Sequence, residues 1–156
     1  IQFPATQNAN SSANNLDDYE EGTWTPTVQD HNMDDRGQTY AANIYGRYQK
    51  VGNIVHISGK IHMTGLGTMQ TSSGTRINGL PFTSSSTTNN EQGIVATYSE
   101  SLAMTAGGSV TGRIYPNTTY VYMYEWDGTI GTGNDGLTLA ELSADGLIEF
   151  FGSYVI

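Results

Sequence analysis

A chain of 156 residues suits one domain, able to bury roughly 70% of the surface its unfolded form exposes. Six lysines and arginines against 15 acidic residues give a net charge of −9, and there is no cysteine. Disulfides, thiolate metal sites and cysteine nucleophiles are therefore excluded, and the clustered cations that nucleic acid or an anionic membrane surface requires are missing.

Charged residues make up 13% of the chain against an ordinary ~25%, while glycines number 19 and tyrosines 10. The surface must be covered by hydroxyls and amides, which suits fibrous or secreted β-proteins and hydrogen bonding to sugars. No apolar run approaches the ~20 residues of a spanning helix, and no signal peptide opens the sequence. The chain starts at Ile1 rather than Met, so a fragment or processed product is expected, with Ile156 as the natural end. Residues 1–15 are polar and low in complexity apart from Ile1, Phe3 and Pro4, and an extended arm or linker is expected there. One domain is expected over residues 16–156.

Strand patterns begin at Trp24–Val28 and Ile44–Lys50. The clearest runs from Ile54 to Met63, where Val55, Ile57, Gly59, Ile61 and Met63 alternate with His56, Ser58, Lys60 and His62. Period two marks a half-buried strand. Thr75–Asn78, Ile94–Tyr98, Ser109–Tyr115 and Tyr120–Trp126 follow, separated by clusters of turn formers. Leu137–Ser143 is the one helical stretch, expected to be a single turn. Leu147–Ile156 places Ile148, Phe150, Gly152, Tyr154 and Ile156 on one face, for burial in the sheet or at a subunit contact. About eight short strands of this kind predict an all-β fold, an antiparallel β-sandwich of jelly-roll-like type.

Chemistry is harder to find. His56 and His62 lie ~20 Å apart along a strand, too far to share a metal. The acids at Asp17, Asp18, Glu20 and Glu21 run consecutively around Tyr19, without the alternating ligands and central glycine of a calcium loop. Glu125 and Glu149 are the best candidates for a glycosidase carboxyl pair, which needs ~5–9.5 Å between groups. No Gly-x-Ser-x-Gly elbow and no phosphate loop is present. No enzyme, no metal site and no cofactor is expected.

The aromatic pattern is more informative. Tyr120, Tyr122, Tyr124 and Trp126 project from one face of a strand at ~6.6 Å spacing. Such rings can stack on successive sugar faces, with Asp127 and Asn134 of the adjoining loop as further contacts. They can equally pack in a core or a subunit contact, since Val121 and Met123 make the opposite face apolar too.

Residues 16–26 read LDDYEEGTWTP. Together with FPATQ at 3–7, YQKVG at 48–52, INGLPF at 77–82 and Gly152-Ser153-Tyr154, this resembles the C-terminal region of phage tail fibre and tailspike proteins. The resemblance implies a homotrimeric distal tip similar to tumour-necrosis-factor-like trimers, carried on the virion and continuous with an upstream fibre shaft. It implies recognition of a bacterial surface polysaccharide or other host receptor, trimer nucleation and capping, and supplies no catalytic residues. Within the motif, Leu16, Asp17, Asp18, Tyr19, Glu20, Glu21, Gly22 and Trp24 are expected to form a folding and docking element. Gly22 would make a tight turn, the acids would cap a turn or pair with Arg47 or Lys50, and Trp24 would anchor the core.

Three functions compete. A receptor-binding tip would use the polar loops Gln29–Thr39, Gly65–Ser73, Ser84–Gln92 and Asp127–Asn134. A structural module would only trimerise and cap the fibre or decorate the virion. A sugar-cleaving enzyme would need Glu125 or Glu149.

Overall fold

The computed structural model describes residues 19–32, 35–126 and 134–156. The expected arm, Leu16, Asp17, Asp18 and Asp127 lie outside the described residues. The described strands are β1 (Tyr19–Trp24), β2 (Thr27–Gln29), β3 (Thr39–Tyr40), β4 (Tyr45–Val51), β5 (Ile54–Gly65) and β6 (Arg76–Asn78). They continue as β7 (Gln92–Glu100), β8 (Ser109–Ile114), β9 (Tyr120–Trp126), β10 (Asp135–Gly136) and β11 (Leu147–Val155), with the helical turn α1 (Leu139–Leu142) before the last. Every named pairing is antiparallel.

Local chemistry explains the elements. In β5 the inward Val55, Ile57, Ile61 and Met63 are buried as the alternation predicts, while His56 is exposed. Gly52, at φ 60°, opens the two-residue turn that joins Val51 to its partner Ile54, a conformation that favours glycine. The turn α1 starts at a capping box, in which Thr138 accepts from the Glu141 N–H while the Glu141 carboxylate accepts from the Thr138 N–H.

The strand order is β1-β4-β5-β11-β7-β8-β9-β6-β2, with β3 on β5 and β10 on β9. Trp24–Val28, expected as one strand, is two. Pro26 has no N–H to give a ladder, and the chain breaks at Thr25–Pro26 between β1 and β2. Because β1 and β2 occupy opposite ends of the sheet path, this corner ties the two ends together and the sheet curls around its core. Trp24 sits buried at the corner, against Phe150 with ring centroids 6.1 Å apart.

Gly22 does not make the expected turn. It lies within β1 opposite Tyr48, whose ring would approach an added Cβ to 2.7 Å. Gly46 accommodates Trp24 in the same way, and Gly59 accommodates Phe150. Each cross-strand pair sets a ring over a residue with no side chain, covering backbone that glycine would leave open. The acids of the motif serve tyrosines: the Tyr48 hydroxyl donates to Glu20 Oε1 at 2.5 Å and the Tyr19 hydroxyl to Glu21 Oε2 at 2.7 Å.

The last strand is the centre of the fold, lying between β5 and β7. Ile148, Phe150 and Tyr154 are buried inside the curl. The Tyr154 hydroxyl donates to the Phe82 carbonyl at 3.0 Å and accepts the Phe82 N–H at 3.1 Å, pinning the 79–84 segment. Burial pushes the Tyr154 phenol up to about 12 from an ordinary 10. A raised acid favours the protonated fold, so its contribution is complete below pH ~10 and is lost as pH rises toward 12. In alkaline titration of stability followed by circular dichroism, loss between pH 10 and 12 is expected to be smaller in Tyr154→Phe, which starts from a lower stability.

Candidate functional site

The outward face of β9 carries Tyr120, Tyr122 and Tyr124, all half-buried, while Val121, Met123 and Glu125 face inward and are buried. The rings are therefore neither core residues nor a free ladder; they line an open cleft of about 730 Å³. Pairing builds its walls. On one edge of β9, β6 sets Arg76 opposite Tyr122, and β10 sets Gly136 opposite Tyr124. On the other edge, β8 leads into Tyr115. Residues 72–74 close the cleft, and Gly74 bridges to Thr138.

Gly74 is required by close approach, since a Cβ there would stand 2.1 Å from the Tyr122 hydroxyl. The Arg76 guanidinium lies over two rings, 4.9 Å from the centroid of Tyr120 and 5.6 Å from that of Tyr122. Tyr122 and Tyr124 stand 5.1 Å apart at 43°. The Tyr124 phenol is pushed up to about 12, first by burial and then by its hydrogen bond with the Tyr115 hydroxyl. It stays neutral at physiological pH and can both donate and accept.

Support for Arg76 comes from a buried carboxylate. Arg76 Nη1 donates to the His31 carbonyl at 3.1 Å, and the His31 N–H donates to Ser73 Oγ at 3.0 Å. Next to it, Asp30 is 1% exposed and accepts from the N–H groups of Asn32 at 2.9 Å and Gln70 at 3.1 Å. Burial alone would raise this carboxyl. The two backbone donors, with Arg36 and His31 nearby, reverse that and hold it below its ordinary value.

Of the candidate contacts, Tyr120, Tyr122 and Tyr124 come together. Trp126 is 48% exposed but lies beyond the cleft, opposite Ser109, and exposed Asn134 lies outside its lining. Arg76 and Gly74 escaped sequence reasoning because pairings remote in sequence deliver them, while Tyr115 and Asp135 reach the cleft through the neighbouring β8 and β10 only once their register on β9 is set. The one available signal was Arg76, among only six cations in the chain, within a strand pattern.

Asp135 is the one carboxylate lining the cleft among the described residues, and its Oδ1 accepts from the N–H of Gly136 at 2.8 Å. Glu125 and Glu149 cannot flank a common bond. Glu125 faces the interior, while Glu149 faces outward and pairs with Lys60 at 3.1 Å. His56 contacts Ser153 and His62 contacts Asn43. Among the described residues, no group of three or more His, Asp or Glu side chains could hold a metal ion, and no helix is long and apolar enough to cross a membrane.

No protein-family model and no curated protein matches the chain. Among solved structures it is similar to the crystal structure of the Dettilon tailspike protein (gp208), with a TM-score of 0.70 and 16% identity over 88% of this chain. The class that the fold defines is thus an antiparallel all-β domain of the kind found within a tailspike. The particular likeness is to a part of that protein, since the match spans 24% of its length.

Proposed function

We propose that the chain is a distal module of a phage tail fibre or tailspike, which trimerises the fibre and holds a host-surface glycan in the tyrosine cleft without cleaving it. The carrying observation is the cleft itself: tilted neutral phenols beside Arg76, on a fold shared with a tailspike. Sugar rings stack their C–H faces on tyrosine, and their hydroxyls match groups that both donate and accept. The single carboxylate that lines the cleft among the described residues suits binding, since glycoside hydrolysis takes two. The partners in this reading are two further copies of the chain, an upstream shaft and a bacterial surface polysaccharide, with no nucleic acid, membrane insertion or cofactor. The location is the virion tail.

The test is binding of the chain to an array of bacterial surface polysaccharides. Tyr122→Ala is expected to weaken binding by about 2 kcal/mol, roughly 30-fold, as for a central aromatic contact. Thermal stability should hold, since Tyr122 is only half-buried. If an assembled wild-type chain binds no glycan while another part of the fibre does, the module is a trimerising cap. The apolar outer face of the sheet favours that second reading on its own account.

A further inference from the structure

Among the described residues, large exposed apolar side chains are few, and all lie on one side of the sheet. They are Tyr45, Ile54, Val95, Tyr98, Trp126 and Phe151, each 41–54% exposed. Register sets Phe151 beside Val95 and Tyr98 beside Glu149, forming a ridge over β11 and β7. On the other side of Phe151, across Ser58, a groove of about 680 Å³ runs over β1, β4 and β5, lined by Glu21, Arg47, Gln49 and His56 among others.

We propose that this face is where copies of the chain meet, the Phe151–Val95–Tyr98 ridge of one copy seating in the Arg47–His56 groove of the next. The inference deepens the trimerising half of the function proposed above by naming its surface. Area is the first argument. An aromatic side chain buries 150–250 Å², so the five residues other than Trp126, each about half exposed, leave on the order of 400 Å² in water. That is about half of the ~800 Å² per partner in a standard interface, and a solvated sheet face is ordinarily polar.

Charge is the second argument. The ridge holds Lys60 and Glu149, paired at 3.1 Å, and Glu100, which accepts from the Tyr98 hydroxyl at 3.1 Å. The groove holds Glu21, which takes the Tyr19 hydroxyl, and Arg47, which has no ion pair among the described residues. The ridge carries one carboxylate beyond its ion pair and the groove is balanced, on a chain of net charge −9. Of these carboxylates Glu149 is matched by Lys60, and Glu21 and Glu100 each accept from a tyrosine of their own copy, so Arg47 is left to lie against an incoming ring.

The experiment is the native mass of the full chain by sedimentation, with Phe151→Glu beside wild type. Wild type should run as an assembly, and Phe151→Glu as a monomer at the same concentration with its β-sheet circular dichroism retained. A monomeric wild type overturns both the face and the trimerising reading; an assembled Phe151→Glu overturns the face alone. Cross-linking tests the seating independently of that variant's folding, and the absence of cysteine makes the background clean. Gln49→Cys combined with Val95→Cys, which keeps the Phe151 ring, should form disulfide-linked oligomers, and neither alone should. The two positions lie on strands separated by β5 and β11, roughly 15 Å apart, too far for a bridge within one copy. Linkage by either single cysteine, or none by the pair, would refute the ridge-in-groove contact.

Discussion

Phe150→Ala is expected to lower the unfolding free energy by about 4 kcal/mol, read from urea denaturation. The ring is 2% exposed, lies against Trp24 and covers Gly59 on the neighbouring strand. Its loss removes apolar contact, opens a cavity beside the Thr25–Pro26 corner and uncovers the β5 backbone. Gly59→Ala is expected to cost about 2 kcal/mol for the opposite reason, because the new Cβ would stand 2.5 Å from Phe150 Cζ. In the double variant the methyl group enters the space that the ring vacated. The cost of the double variant should therefore fall short of the sum of the two single costs by more than about 1 kcal/mol. Additive costs would show that the ring and the glycine do not share that space.

Asp30→Ala is the second large effect, at about 3 kcal/mol, because the backbone N–H groups of Asn32 and Gln70 lose a buried charged acceptor. Both stability and binding should respond. Without Asp30 the turn that carries His31 loosens, and the His31 carbonyl no longer fixes Arg76 over Tyr120 and Tyr122. Glycan affinity should fall with stability even though Asp30 lies outside the cleft lining. Acid has the same effect on the wild type. The folded carboxyl titrates below its ordinary 3.8, so its contribution is complete above that value and is lost as pH falls through the lowered one. The stability of Asp30→Ala should therefore vary less with pH below about 4 than that of wild type.

Much of the fold was legible because alternation is a local property. The faces of β5 and β11 follow directly from period two, and the single helical turn from Leu139 and Leu142 three apart. The reading failed where a residue's role depends on its partner. Gly22 looks like a turn glycine in isolation and becomes a seat for the Tyr48 ring only when β1 pairs with β4.

The amino-acid sequence by itself determined an all-β chain with no thiol chemistry, a neutral polar surface and three tyrosines on one strand face, since composition and periodicity need no partners. Tertiary structure alone decided that the last strand enters the middle of the sheet and that the tyrosines line a cleft. It also brought Arg76 and Asp30 to serve that cleft and gathered the exposed apolar residues on one face. Those outcomes depend on strand order and register, and hydrogen-bonded ladders join segments whose separation along the chain carries no record of their pairing.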